Sequence, residues 1–396
     1  MVVFPRREAR RLALPLAALL LAPARLSAAQ AGVSASPLPA DRQALESLFS
    51  SGGPAIRFVF SPSLRGREAP PAELLPPAPS VPALDFNGAS VVSYRFGGGA
   101  EPVLASAIDA AQSSVYLAAP VFASPRVSEA LVRAKRRGVD VRLLTSYSLV
   151  APSGGAPRSP ELRAVIYSGA QLRSLPGEGR GGPWPGAFAL LDGRLVQTGS
   201  LKPGDAPAAH HGIVFRDDPG TVLGFSSYWT WLWSRAKPLS GLASAPGDSP
   251  QAEEAVGSLR FKGRSWPAWA MPTGGASEER LASAIRLCRG SVDIVLPGLT
   301  PRLAEALAAA QGGGAAVRIV ADEGMPSGDL AALLETGAEV ALFGGGPLRS
   351  QFAVLDGELV QTGSLDAAPG AAVFSTAAAD LKGFAAEFAS LRAFSR

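Results

Sequence analysis

The chain has a single cysteine, Cys288, in 396 residues. No intramolecular disulfide can form in any compartment, and no cysteine near the N-terminus is available for a lipid anchor. Its place in the apolar run 281–288 marks it as a core residue. Histidine is almost as scarce: His210 and His211 are the only two, and they are adjacent. That is a poor ligand set for a metal such as zinc, which needs several convergent His, Cys or carboxylate groups. The glycine runs at 97–99 and 344–346 are not followed by Gly-Lys-Ser/Thr, so neither forms a phosphate-cradling P-loop. Neither a metal nor an organic cofactor is expected.

Membrane-spanning runs and excess charge are missing as well. The apolar run at 12–24 has thirteen residues, short of the roughly twenty that cross a bilayer as a helix. Arg6, Arg7, Arg10 and Arg11 precede it, and small residues after it offer cleavage following Ala29 or Ala31. Residues 1–29 therefore read as an export signal, implying a periplasmic or secreted protein with no transmembrane helix once it is removed. The chain holds 37 basic and 33 acidic residues, a net charge of +4, but 1–29 contain five Arg and one Glu. Removing them leaves 32 basic against 32 acidic residues. A neutral mature chain gives no strong sign of a nucleic-acid partner. One local basic cluster, Arg133, Lys135, Arg136 and Arg137, lies at a helix end, where cations are favoured anyway.

What the chain does have is a repeated segment. Residues 188–201 read FALLDGRLVQTGSL and residues 352–365 read FAVLDGELVQTGSL, twelve of fourteen positions identical at a separation of 164 residues. Each copy is a short β-run, an Asp-Gly turn, a second β-run and a terminal Gly-Ser. So long a period implies two whole domains rather than a solenoid.

The surrounding pattern repeats too. Residues 30–84 are punctuated by Pro and Ala and read as an irregular tether, with one short helix expected at 41–49. From residue 85 helices are expected at 101–113, 124–137 and 160–167, and strands at 115–119, 139–144 and 171–174. The first hairpin follows, then a strand at 213–216 and an aromatic-rich closing helix at 221–236. After a Pro/Ser/Gly linker at 238–254 the order recurs, with helices at 278–289, 301–311 and 329–335 and strands at 292–296, 317–321 and 339–343. The second hairpin, a strand at 372–375 and a closing helix at 378–393 end the chain. Alternating strands and helices predict largely parallel sheets covered on both faces, with the Asp-Gly hairpins adding antiparallel strands. The fold class is α/β, with domains at 85–237 and 255–396.

This order of elements, with the Phe-(x)3-Asp-Gly-(x)4-Thr-Gly-Ser segment in duplicate, resembles the phospholipase D superfamily over about residues 85–396. The resemblance implies two tandem α/β domains packed as a pseudo-twofold dimer. It also implies a motif His-x-Lys-(x)4-Asp followed by Gly-Ser-x-Asn in each half. Two residues apart on a strand, such a His and Lys share a face. In the family one His attacks phosphorus, the other protonates the leaving group, and the lysines stabilise the phosphate oxygens. Counting back from Asp192 places Pro185 at the His position and Ala187 at the Lys position. From Asp356 the corresponding residues are Arg349 and Gln351. All four are substituted: Pro and Ala carry no nucleophile, Arg stays protonated, and Gln does not titrate. At the Asn position stand Lys202 and Asp366, expected to face each other as an ion pair across the old cleft.

Two functions follow from different premises. The first is a non-catalytic binding or structural member, in which Arg349, Gln351, Ser200, Lys202, Ser364 and Asp366 line a site for a phosphate-containing ligand. The second is a phosphodiesterase, or a phosphatidyl or nucleotidyl transferase, with a relocated nucleophile at His210 or His211. Against the second, the two histidines read as exposed loop residues. Asp192 and Asp356 suit tight turns rather than catalysis. The stripe Tyr228, Trp229, Trp231, Leu232 and Trp233 has the spacing of a helix face packed on a sheet.

Overall fold

The computed structural model describes residues 81–97, 100–120, 122–146, 159–175, 186–199, 211–238, 255–271, 276–363 and 371–395. All of these belong to one compact unit, Phe58–Arg396. The short helix expected at 41–49 lies outside the described residues.

The first half runs β1 (Ala83–Phe86), β2 (Ala89–Val92), β3 (Tyr94–Phe96), α1 (Ala100–Ala110), β4 (Ser114–Ala118), α2 (Pro125–Arg136), β5 (Asp140–Ser146), α3 (Pro160–Tyr167), β6 (Gln171–Leu175), β7 (Phe188–Leu191), β8 (Leu195–Gly199), β9 (Gly212–Arg216), α4 (Pro219–Arg235) and β10 (Lys237–Pro238). The second runs β11 (Ala255–Val256), β12 (Leu259–Phe261), β13 (Arg264–Trp266), β14 (Trp269–Ala270), α5 (Ala276–Leu287), β15 (Ser291–Leu296), α6 (Pro301–Gly312), β16 (Ala316–Asp322), α7 (Ser327–Glu335), β17 (Glu339–Phe343), β18 (Phe352–Leu355), β19 (Leu359–Gly363), β20 (Ala372–Ser375) and α8 (Ala378–Ala393). Four helix starts share one device. Ser124, Ser159, Asp218 and Thr300 each accept the amide three residues on, and each is followed by proline. A side-chain acceptor satisfies an otherwise orphan amide, and proline costs nothing where no hydrogen bond is lost.

Two eight-stranded sheets result, ordered β10-β6-β5-β4-β7-β8-β9-β3 and β11-β14-β20-β19-β18-β15-β16-β17. They correct the expectation of largely parallel sheets. Within the first, only β4–β5 and β5–β6 pair in parallel, and β15–β16 and β16–β17 are their counterparts in the second. The central hairpins and the strands beyond them are antiparallel, because each Asp-Gly turn reverses the chain into the middle of its sheet.

One face of each sheet packs on its own helices, giving the core that includes Leu104, Leu131, Leu143 and Phe215 in the first half. Its counterpart in the second includes Leu281, Leu307, Ile319 and Phe374. The other face joins the halves reciprocally. Phe225 and Trp229 of α4 share a core with Trp269 and Val373 of the second half. Phe384 and Phe388 of α8 share one with Tyr94 and Val214 of the first. Exchange of equivalent contacts is the mark of a twofold relation, here a pseudo-twofold within one chain.

Two glycines make this seam possible. A side chain at Gly224 of α4 would collide with the Trp269 ring, and one at Gly383 of α8 with the Tyr94 hydroxyl. Each closing helix thus offers a bare backbone to an aromatic residue of the opposite half.

Candidate functional site

The repeated segment forms the frame of the site. Asp192 and Gly193 both adopt positive φ (52° and 60°), as do Asp356 and Gly357 (51° and 64°). Two consecutive left-handed residues make the tight hairpin turn that Asp-Gly favours. The Asp192 carboxylate accepts the amides of Gln112, Ser113 and Ser114 at 2.8–2.9 Å and the Asn87 carboxamide at 2.6 Å. Burial alone would raise its pKa, but these hydrogen bonds outweigh burial and hold it at about 2. Asp356 repeats the arrangement with the amides of Arg289, Gly290 and Ser291 at 2.7–3.1 Å. Lys262 lies 2.8 Å from it and takes the place of Asn87. Its pKa is likewise lowered, burial being opposed by Lys262 and the three amides. Both carboxylates tie the hairpin to the start of the neighbouring central strand, as expected for turn residues.

Upstream of each turn lie the positions that the resemblance singles out. Ala187 and Gln351 are buried and Arg349 is exposed. Gln351 immediately precedes β18, whose register sets Val295 against Phe352 and Phe352 against Thr362. By alternation Gln351 shares a sheet face with Ala353 and, across the hairpin, Gln361. Ala187 and Gln197 hold the equivalent places in the first half, where Ala189 is paired with Gln197. Among the described residues no carboxylate pairs with Arg349. Pro185, Ser200, Lys202, His210, Ser364 and Asp366 lie outside the described residues, and so does the expected Lys202–Asp366 pair.

His211 corrects the expectation of two exposed loop histidines, since only 6% of it is accessible. The reason is an extension of the β3–β9 ladder. Phe96 pairs with Gly212, and the Gly97 amide donates to the His211 carbonyl at 2.8 Å. This draws the residue into the sheet. The neighbouring Gly212 lies against the second half: a Cβ there would sit 3.3 Å from the Ser350 hydroxyl. His211 and the segment 349–351 therefore flank the same part of the seam.

Gln197 and Gln361 went unnoticed in the sequence. Both carboxamides are buried, and among the described residues the Gln197 nitrogen and both polar atoms of Gln361 have no hydrogen-bond partner. The available signal was a glutamine in the middle of two otherwise apolar strands, LVQTG, at the same place in each copy. The hairpins β1–β2 and β12–β13 were also missed. Their sequences share Leu-x-Phe-x-Gly-x-Ser, at 84–90 and 259–265, and their tips carry Asn87 and Lys262, the partners of the two turn aspartates.

Chemically, the described part of the site offers a guanidinium, amide donors and one imidazole. It contains no group of three or more His, Cys, Asp or Glu able to hold a metal among the described residues.

A family model described as cardiolipin synthase, PLD-like domain, matches residues 104–201, from within α1 to just beyond β8. The crystal structure of phosphatidylserine synthase from Haemophilus influenzae Rd KW20 superposes with a TM-score of 0.56 at 11% identity. It covers 80% of this chain and 88% of that one, and so shares the fold. Residues 104–201 are a phospholipase D-like domain, and the chain shares the fold of that solved structure. Nuc, a phospholipase D family member from Salmonella typhimurium, is 26% identical over 37% of this chain and 97% of its own, with a TM-score of 0.31. Polyphosphate kinase from Porphyromonas gingivalis is 11% identical over 71% of this chain and 47% of its own, with a TM-score of 0.46. No curated protein sequence matches the chain.

Both turn aspartates and both Thr-Gly pairs of the repeated segment stand at equivalent places in the two hairpins. The aromatic stripe of α4 is only partly core: Tyr228, Trp229 and Leu232 are buried, whereas Trp231 and Trp233 are half-exposed.

Proposed function

We propose that this phospholipase D superfamily protein is non-catalytic and holds a phosphate-containing ligand on the second-half side of the degenerate site. The observation that carries this reading is the contrast between the two halves. The positions of the His-x-Lys pair are Pro185 and Ala187 in the first half, which offer no donor or charge. In the second they are Arg349, exposed and without a carboxylate partner among the described residues, and the buried Gln351. A guanidinium beside an amide binds a phosphate oxygen without attacking phosphorus. We read the domains as 85–237 and 255–396 and 1–29 as an export signal, supported by the charged, apolar and small-residue order of that segment. A ligand specific to the native state must raise the melting temperature. Millimolar sulfate or vanadate therefore raises it for the wild type and not for Arg349→Ala. No shift for the wild type would contradict ligand binding.

One observation favours a second reading. His211 is buried at the seam beside the Gly212–Ser350 contact, where a relocated nucleophile would have to stand. In that case the protein cleaves or transfers a phosphodiester. The sign would be turnover above background that disappears in the His210→Ala/His211→Ala variant.

A further inference from the structure

The two closing helices differ where they need not. Gly224 and Gly383 hold equivalent places, 159 residues apart, each bare against an aromatic ring of the other half. Carrying that offset along the helices sets Leu223, Trp231 and Trp233 of α4 against Lys382, Ser390 and Arg392 of α8. The same fold position thus tolerates polar residues, so packing alone does not require the apolar ones. Leu223 is 52% exposed, and α4 has Arg235 as its one charged residue in seventeen. A surface helix ordinarily carries charge on its outer face.

The outer face of α4 also hides its own polarity. Ser226 donates to the Val222 carbonyl, Ser227 to Gly224, Thr230 to Ser226 and Ser234 to Trp231, at 2.6–3.0 Å. Every one of these hydroxyls turns back on the helix rather than outward. Around it stand cations without carboxylate partners among the described residues. Arg235 lies 4.3 Å from the Trp231 ring centre, Arg173 lies 4.6 Å from that of Trp233, and Lys237 follows on β10. Arg142 of β5, by contrast, is paired with Asp140 at 2.8 Å.

The ring faces themselves are engaged. Trp231 stacks on Tyr228 and Trp233 on Trp229, and each has a guanidinium over it. A nucleic-acid base or a sugar needs an open ring face, so the patch presents ring edges, an exposed leucine and cations instead. Indole edges with a cationic fringe suit the headgroup layer of a bilayer, and unpaired Arg and Lys are drawn to anionic lipid. No described helix is long and apolar enough to cross a membrane, so the helix would lie on the surface rather than span it. We infer that the outer face of α4, with Arg173, Arg235 and Lys237, is a docking surface for an anionic phospholipid bilayer.

The full chain mixed with vesicles of phosphatidylcholine and brominated phosphatidylglycerol tests this. Bromine quenches only indoles that reach the acyl boundary, so attachment through the apolar segment at 12–24 does not mimic the signal. Tryptophan quenching is expected for the wild type, weaker on vesicles of phosphatidylcholine alone and at high salt. It should be lost in Trp231→Ser/Trp233→Arg, which borrows the residues of α8. Should that variant fail to fold, Arg235→Gln/Lys237→Gln keeps the aromatic core. It should weaken vesicle binding about twenty-five-fold, the effect of removing two cations worth about a factor of five each. Absence of quenching, quenching equal in both variants and wild type, or binding of single-stranded DNA through this face without vesicle binding would each overturn the inference.

Discussion

Arg216 of β9 and Asp380 of α8 form an ion pair between the halves at 3.2 Å, with less than a tenth of either side chain accessible. Taking two charges out of water is costly, and removing one partner strands the other. Arg216→Ala or Asp380→Asn should therefore lower unfolding free energy by about 3–5 kcal/mol. The Arg216→Met/Asp380→Leu double variant should lie much closer to wild type. Urea denaturation of the four proteins measures the difference.

The glycine contacts at the seam make a second case. Alanine normally stabilises a helix interior by about 1 kcal/mol over glycine. At Gly224 and Gly383 the added methyl meets Trp269 and Tyr94, and overpacking of this kind costs about 1–3 kcal/mol. The collision outweighs the propensity, so Gly224→Ala and Gly383→Ala should lower the urea midpoint. Gly328→Ala in α7, where nothing lies within 4 Å of the new carbon, should leave it unchanged or raise it.

Asp192 gives a pH dependence. Its folded pKa, about 2, lies below the ordinary value of 3.8. The unfolded chain therefore binds a proton first as pH falls. The stabilisation is complete above the ordinary pKa and is lost as pH drops from about 4 to about 2. Asp192→Asn should cost about 1.5–3 kcal/mol at neutral pH, the worth of hydrogen bonds to a charged group. It should also flatten the acid limb of a stability-against-pH curve. Asp356→Asn should act in the same direction, because its pKa too is lowered.

Gln361 is a buried amide with neither polar atom paired among the described residues. Leaving such a group unsatisfied costs about 1–3 kcal/mol. Gln361→Met, similar in shape and apolar, should raise the urea midpoint, and a fall would mean that the amide has a partner in solution.

Much of this fold was legible because the strongest signals are local. Proline after a Ser or Thr cap fixed the starts of α2, α3 and α6, and Asp-Gly fixed both central hairpins. What was missed depends on distant partners. Strands β3 and β14 are short, and their pairing is completed by residues far along the chain, as in Tyr94 with Val214 or Trp269 with Val373. No local periodicity announces such pairs. The burial of His211 is of the same kind, since it depends on Gly97, just past β3 and more than a hundred residues away. Gln197 and Gln361 were overlooked because a lone polar residue in an apolar strand carries no period of its own. For the site, the substituted positions could be read from the repeat, but the placing of 349–351 against Gly212 needed the assembled seam.

The central claim is that the second half binds phosphate through Arg349 without transforming it. Phosphorus NMR of a soluble phosphodiester titrated with the purified protein tests binding and turnover together. The account predicts a diester resonance that broadens with wild-type protein, sharpens again with Arg349→Ala, and is never replaced by a monoester resonance. A monoester peak that grows with time and disappears in His210→Ala/His211→Ala would contradict it, as would a diester line that the wild-type protein leaves unchanged.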